Sequence, residues 1–330
     1  MNKELTTIAT PGTSGQRARL PAWESIRRFN TLFILLALVI CSSLFSADFL
    51  TGPNVSNVSR QVAGVGIMSM GMLLVVLTGG IDLSVGSVAA LSSVTTALLI
   101  PQVGMSLAIA GGLLSGVVCG AVSGALIAFY RLSPFVVTLA TMTVARGIAL
   151  IISKGAPILV SEEAQPLLDF GRDTLLSIPQ PTAMMLIVFA IGAVFLGLTR
   201  AGRIVRAIGS NEEAVRLSGV SIGFYTLLTY VAAGALSALA GVVSVARSGV
   251  GAPSVGVGDE LTVIAAVVIG GASLSGGRGT VLNTLVGVLV LGIIANIMNL
   301  TSVPGYHQQV VMGVIIVVAI LAQRGSGGAR

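Results

Sequence analysis

From residue 31 onward the chain alternates long apolar runs with short polar breaks. A helix that crosses a bilayer needs about 20 consecutive, mostly apolar residues. Runs of this kind lie at 32–47, 61–78, 83–100, 104–130, 134–153, 182–199, 222–246, 260–275, 279–300 and 308–323. They predict about ten helices in an all-α polytopic membrane protein. The weakest division is at "LTGGIDLSVGS" (77–87), where a glycine pair and Asp82 interrupt one long run, and eight to eleven spans fit the same pattern. Outside the transmembrane domain (31–323), residues 1–30 read as a disordered polar tail with a basic flank, and 324–330 as a closing tail. The first run also resembles the apolar core of a signal peptide, but the 30 residues before it are long for that role.

The basic residues orient these spans. With the N-terminus inside, ten crossings put thirteen of the 18 Lys and Arg on the inner side: five in the tail, Arg131, Arg200, Arg203, Arg206, Arg216, Arg278, Arg324 and Arg330. Arg60, Lys154, Arg172 and Arg247 fall outside, and Arg146 lies within a span. This asymmetry follows the positive-inside rule and predicts cytoplasmic N- and C-termini. It also accounts for the net charge of +6 without any nucleic-acid partner. The largest outer loop, 154–181, carries Glu162, Glu163, Asp169 and Asp173.

Composition agrees. The chain is 54% hydrophobic and 9% charged, against about 25% charged in soluble domains. Its 42 glycines suit close packing of membrane helices. Cys41 and Cys119 both lie in apolar runs and read as packing residues, not as a disulfide or metal site.

One inner loop, 200–221, stands out. Within it "RAIGSNEEAVRLSGVSI" (206–222) looks like a helix from a soluble protein. Ser210 followed by Glu213 has capping-box spacing, with Glu212 and Glu213 in the first turn, Arg216 in the last and Gly219 placed to stop the helix. A helix of about eight residues, roughly 12 Å, is marginal alone and needs a surface to dock on. Ala214 and Leu217 share one face of it. The segment is either such a docking helix for a cytoplasmic partner or an ordinary capped loop.

The chain shows no engine of its own. Its only lysines, Lys3 and Lys154, are not in a phosphate-cradling loop, and its one histidine, His307, excludes HExxH and histidine triads. No nucleophile–base pair or metal-ligand set lies in the spans, so the chain does not read as an enzyme. An ion-driven transporter usually buries several ionisable groups, and here only Asp82 and Arg146 are candidates. Asp82 has three open readings: a partner for Arg146, a loop residue, or a path-lining residue.

Five stretches carry a resemblance: "LTGGIDLSVGSVAAL" (77–91), "SPFVVTLATMTVARGIALI" (133–151), "RAIGSNEEAVRLSGVSI" (206–222), "VIGGASLSGGRGTVLNTLVGVLVLGII" (268–294) and "GYHQQVVMGVIIVVAI" (305–320). In this order they closely resemble the ribose-type permeases of bacterial ABC importers, which include xylose, arabinose and galactoside permeases. The related branched-chain amino-acid permeases are a poorer match at "GGIDLSVGS". The resemblance implies an inner-membrane permease for a neutral monosaccharide. It implies a second permease subunit (identical or not), two cytoplasmic ATPase chains that use ATP and Mg, and a periplasmic sugar-binding protein. This chain would bind no cofactor itself. It further implies that Ser210, Asn211, Glu212, Glu213, Ala214, Arg216, Leu217, Ser218 and Gly219 form the helix that couples to the ATPase.

For the substrate path the candidates are Asp82, Ser84, Arg146 and Asn296; with Asn283 and Asn299, Asn296 also fits a role as hydrogen-bonding glue between helices. "GGASLSGGRGT" (270–280) is Gly-rich but lacks a lysine and reads as a tight turn. A nucleoside or furanose-like signal molecule is the alternative cargo, and a secondary transporter the alternative mechanism.

Overall fold

The structure, a computed structural model, describes residues 30–161 and 164–327. The polar tail at 1–29 with its basic residues, Glu162, Glu163 and Arg330 lie outside the described residues.

In chain order the helices are α1 (Asn30–Phe45), α2 (Gly52–Leu77), α3 (Val85–Val103), α4 (Met105–Ala128), α5 (Pro134–Ser153), α6 (Gln165–Arg172) and α7 (Gln180–Leu198). There follow α8 (Arg200–Ser210), α9 (Glu212–Leu217), α10 (Ile222–Ser248), α11 (Asp259–Ile269), α12 (Val281–Leu300) and α13 (Gly305–Gly327). Seven of these, α2, α3, α4, α5, α7, α10 and α12, are long and apolar enough to cross a membrane. The protein is thus an all-α, multi-pass membrane protein. Among the described residues the strands form two two-residue ladders: β1 (Ile158–Leu159) pairs with β4 (Val250–Gly251), and β2 (Thr174–Leu175) with β3 (Ile178–Pro179), both antiparallel.

Each apolar run corresponds to a helix, with two departures. α2 starts at Gly52, nine residues earlier than the apolar pattern, because Pro53 in its first turn needs no N–H partner and the polar residues up to Arg60 continue the helix. The run at 260–275 is helical only to Ile269; Gly270 and Gly271 (φ +79°) then break it. The break at 77–87 is real: α2 stops at Leu77, Gly79 adopts φ +83°, and residues 78–84 are not helical before α3 begins.

α10 is the central post, packed against α2, α3 and α4. α4 crosses it backbone to backbone: a Cβ on Gly116 would strike the carbonyl of Gly234, and one on Gly120 the carbonyl of Tyr230. Where lipid removes the hydrophobic drive for helices to associate, such small-residue crossings hold them by dispersion. Side-chain bonds add to this, Ser92 Oγ donating to Ala238 O at 2.9 Å and Ser123 meeting Thr141 at 2.7 Å.

At one end of the bundle the end of α2, Gly209 and the turn at Gly276–Gly277 touch. At the other end α6 and the β1–β4 ladder lie against the C-terminal end of α10. α5 keeps an apolar face open through Phe135, Val136, Val144, Ile148 and Ile151.

Candidate functional site

Two broken segments meet inside the bundle. Residues 78–84 lead away from the end where Leu77 touches Gly277, and 252–258 from the opposite end, where β4 pairs with β1. They converge where Gly86 faces Gly256. A Cβ on Gly86 would strike the Gly256 carbonyl and lie 2.8 Å from Glu260 Oε2; one on Gly256 (φ +68°) would lie 2.6 Å from Gly86 O. Only glycine allows this approach. Non-helical backbone within a membrane protein is tolerated where protein or a water-filled cavity satisfies it. Here Arg146 on α5 does part of that work: its Nη1 donates to the carbonyls of Pro253 and Val255, both at 2.6 Å.

The structure therefore gives Asp82 and Arg146 different partners, and of the three readings of Asp82 the pairing with Arg146 does not form. Asp82, 2% exposed, accepts from the Ser84 amide at 2.9 Å and from Ser84 Oγ at 2.6 Å, ordering the turn into α3. Asn296 is also buried and exchanges two hydrogen bonds with Asn54, at 3.1 and 2.9 Å, tying α12 to α2. Asn283 lends its backbone N–H to the Thr280 cap, and Asn299 Oδ1 accepts from Gln308 at 2.8 Å.

The charges that the sequence reading missed are Asp259 and Glu260. Both sit in the first turn of α11, where the helix dipole favours acids. A cavity of about 460 Å³ is lined by Ser87, Thr143, Arg146, Val257 and Glu260. Among the described residues the only ion pair is Glu213–Arg216, so Arg146 and Glu260 face the cavity unjoined.

The other notable place is the hairpin of α8 and α9. α8 was expected as loop, but Val205 and Ile208 are buried along one side of it and Thr199 caps its start, accepting from the Gly202 amide at 3.0 Å. Because α8 runs through Ser210, the cap of α9 shifts by one residue. Asn211 Oδ1 accepts from the Ala214 amide at 3.0 Å, while Ser210 Oγ donates back to Arg206 O. Such a cap is worth about 1 kcal/mol. Glu213 does not close a capping box; it pairs with Arg216 at 2.6 Å. The helix is six residues long, not eight, and Gly219 ends it at φ +77° as its position predicted. Val215 points inward, Ala214 and Leu217 outward; Leu217 is 79% exposed. A cleft of about 710 Å³ separates α9 from Thr78–Gly80 and Arg131.

At the opposite end Arg60, Arg172 and Arg247 border a cavity of about 250 Å³. Arg60 Nη2 donates to the Arg172 carbonyl at 2.6 Å, and its buried Nε has no partner. Among the described residues no carboxylate lies within ion-pair range of the three.

Sequence comparison decides the family. The model for the permease component of branched-chain amino acid transport systems matches residues 54–320. The chain belongs to this permease family. That span includes the junction, the α8–α9 hairpin and the three arginines. Within the family it is similar to sugar permeases over nearly its whole length. The ribose import permease of Bacillus subtilis (strain 168) is 44% identical over 302 residues, 91% of this chain and 93% of that one. The ribose import permease of Escherichia coli (strain K12) is 39% identical over 317 residues, 95% of this chain and 98% of that one. An L-arabinose ABC transporter permease of Azospirillum brasilense is 37% identical over 306 residues, 92% and 90% of the two chains. No solved structure matches the chain.

Proposed function

We propose that this protein is the membrane subunit of an ATP-binding-cassette importer for a neutral monosaccharide of the ribose or arabinose kind. The observation that carries the reading is α9: a capped helix at one end of the bundle, anchored inward by Val215, with Leu217 bare. A short capped helix outside the apolar spans that leaves a leucine bare offers an apolar side chain to a docking partner. Its partner in this reading is a cytoplasmic ATPase chain, and ATP and Mg belong to that partner.

We count α1, α11 and α13 with the seven long helices as ten membrane elements, which puts both termini and α9 in the cytoplasm and thirteen of 18 basic residues beside them. Two permeases then face one another across the open side of α5, with the Arg146–Glu260 cavity at their junction. No catalysis falls to this chain.

The test is uptake into vesicles containing the permease, candidate ATPase chains and a candidate periplasmic sugar-binding protein. ATP-dependent accumulation of ribose or arabinose is expected, with both ATPase chains copurifying on a tagged permease. Uptake blocked by unlabelled amino acids but indifferent to sugars, or uptake abolished by an uncoupler and indifferent to ATP, would sink the reading.

The arginine cluster fits the delivery step. Three guanidiniums brought together with no carboxylate in ion-pair range among the described residues, on the side that the positive-inside rule leaves poor in cations, suit acidic side chains of the delivering protein. Arg60→Glu with Arg247→Glu should weaken binding-protein-stimulated uptake more than tenfold and leave ATPase copurification unchanged. Wild-type delivery by that double variant would remove the cluster from the docking surface.

A further inference from the structure

We propose that Arg146 and Glu260 flank a transient binding position for a pair of adjacent hydroxyls on a neutral polyol, an assignment that rests on the importer reading above. Arg146 is half committed. Its Nη1 supplies the carbonyls of Pro253 and Val255, leaving three of the five N–H donors of a guanidinium, those on Nε and Nη2. No described residue accepts from these three, and none donates to the Glu260 carboxylate. The two groups are not bonded to one another, although both line the same cavity. What separates them is the backbone: the carbonyls of the broken 252–258 segment hold the guanidinium, and the glycine at 86 leaves the room into which Glu260 Oε2 reaches.

The donor and acceptor set selects by chemistry. A sugar hydroxyl donates and accepts at once, so two neighbouring hydroxyls can accept from the free edge of Arg146 and donate to Glu260. Thr143, on the cavity wall one turn before Arg146, and buried Ser87 add hydroxyls of their own. An anionic solute meets Glu260, with Asp259 beside it, and a cationic one meets Arg146; each leaves a charge unmatched within the membrane, where that is costly. A molecule without hydroxyls leaves both groups unsatisfied. A volume of about 460 Å³ lies in the range of small-molecule sites, about 300–1,000 Å³.

The experiment uses the complete importer in proteoliposomes, with ribose and arabinose as probes, and reads sugar moved per ATP hydrolysed. Glu260→Gln keeps size and removes charge. Arg146→Lys keeps charge and loses the free guanidinium edge together with the two Nη1 bonds to the Pro253 and Val255 carbonyls. Both should lower the ratio at least fivefold, with the ATPase chains still copurifying on the tagged permease. Independently, Thr143→Cys in a C41S/C119S chain should react with a small thiol reagent more slowly when ribose-loaded binding protein and ATP are present. An unchanged ratio in both charge variants overturns the proposal, as does labelling indifferent to ribose; if a charge variant does not accumulate, the labelling decides. A parent importer that moves neither sugar with ATP sinks the importer reading and this position with it.

Discussion

Leu217→Asp is expected to abolish ATP-driven uptake while the permease still reaches the membrane at normal levels. Leu217 is 79% exposed and no described residue covers it. Ala214, three residues before it, is exposed on the same face. A carboxylate at the centre of a docked apolar contact must lose its water without gaining a partner, a cost of about 3–5 kcal/mol. At 1.4 kcal/mol per tenfold that weakens the ATPase complex by more than about a hundredfold. Insertion is spared, because α9 lies outside the seven long apolar helices. The measurement is copurification of the ATPase chains with the tagged permease, alongside uptake. Ser210→Ala should do almost nothing by comparison, since the cap belongs to Asn211. A Leu217→Asp permease with full uptake and an intact complex would reduce α9 to a closing turn.

The difference between Ser210 and Asn211 marks where sequence reading stops. Both residues suit an N-cap, and choosing between them depends on whether the preceding segment is helical. The signal was present in "RIVRAIG" (203–209), whose Ile204, Val205 and Ile208 recur at a helical spacing. It was masked by the arginines that mark the segment as a loop between spans. The long helices were legible because a bilayer imposes length and apolarity on each separately. Asp259 and Glu260 were not. At the edge of an apolar run an acid normally lies at the surface, and hydropathy cannot tell that the chain before it dips into the bundle. That dip is set by distant partners, Gly86 across from Gly256 and Arg146 beneath two carbonyls. Arg146 was recognised as a buried charge from its place in a span, but its partners are backbone atoms more than 100 residues away, which no spacing in the sequence announces.

Gly209→Val separates docking from transmission. Gly209 is in the last turn of α8, and a Cβ there would strike the Leu77 carbonyl and the Gly277 amide and lie 2.8 Å from Gly276 Cα. These are backbone atoms, so no rotamer change makes room. Gly276 and Gly277 hold φ of +90° and +72°, and the Gly277 amide donates to Leu77 O at 3.0 Å. The hairpin thus rests on the end of α2 and on the turn between α11 and α12, the same elements that lead to Asp82 and to Glu260 in the broken junction. A valine must lift α8 away from both, at an overpacking cost of about 1–3 kcal/mol. The exposed face of α9 is untouched, so the ATPase chains should still copurify and hydrolyse ATP. Sugar moved per ATP should fall at least fivefold, with Gly209→Ala intermediate. This pattern is opposite to that of Leu217→Asp, which loses the complex itself, and the two variants assayed side by side distinguish a broken dock from a broken lever. Wild-type stoichiometry in Gly209→Val would mean that force enters the bundle elsewhere, by way of the direct contact of α9 with α10.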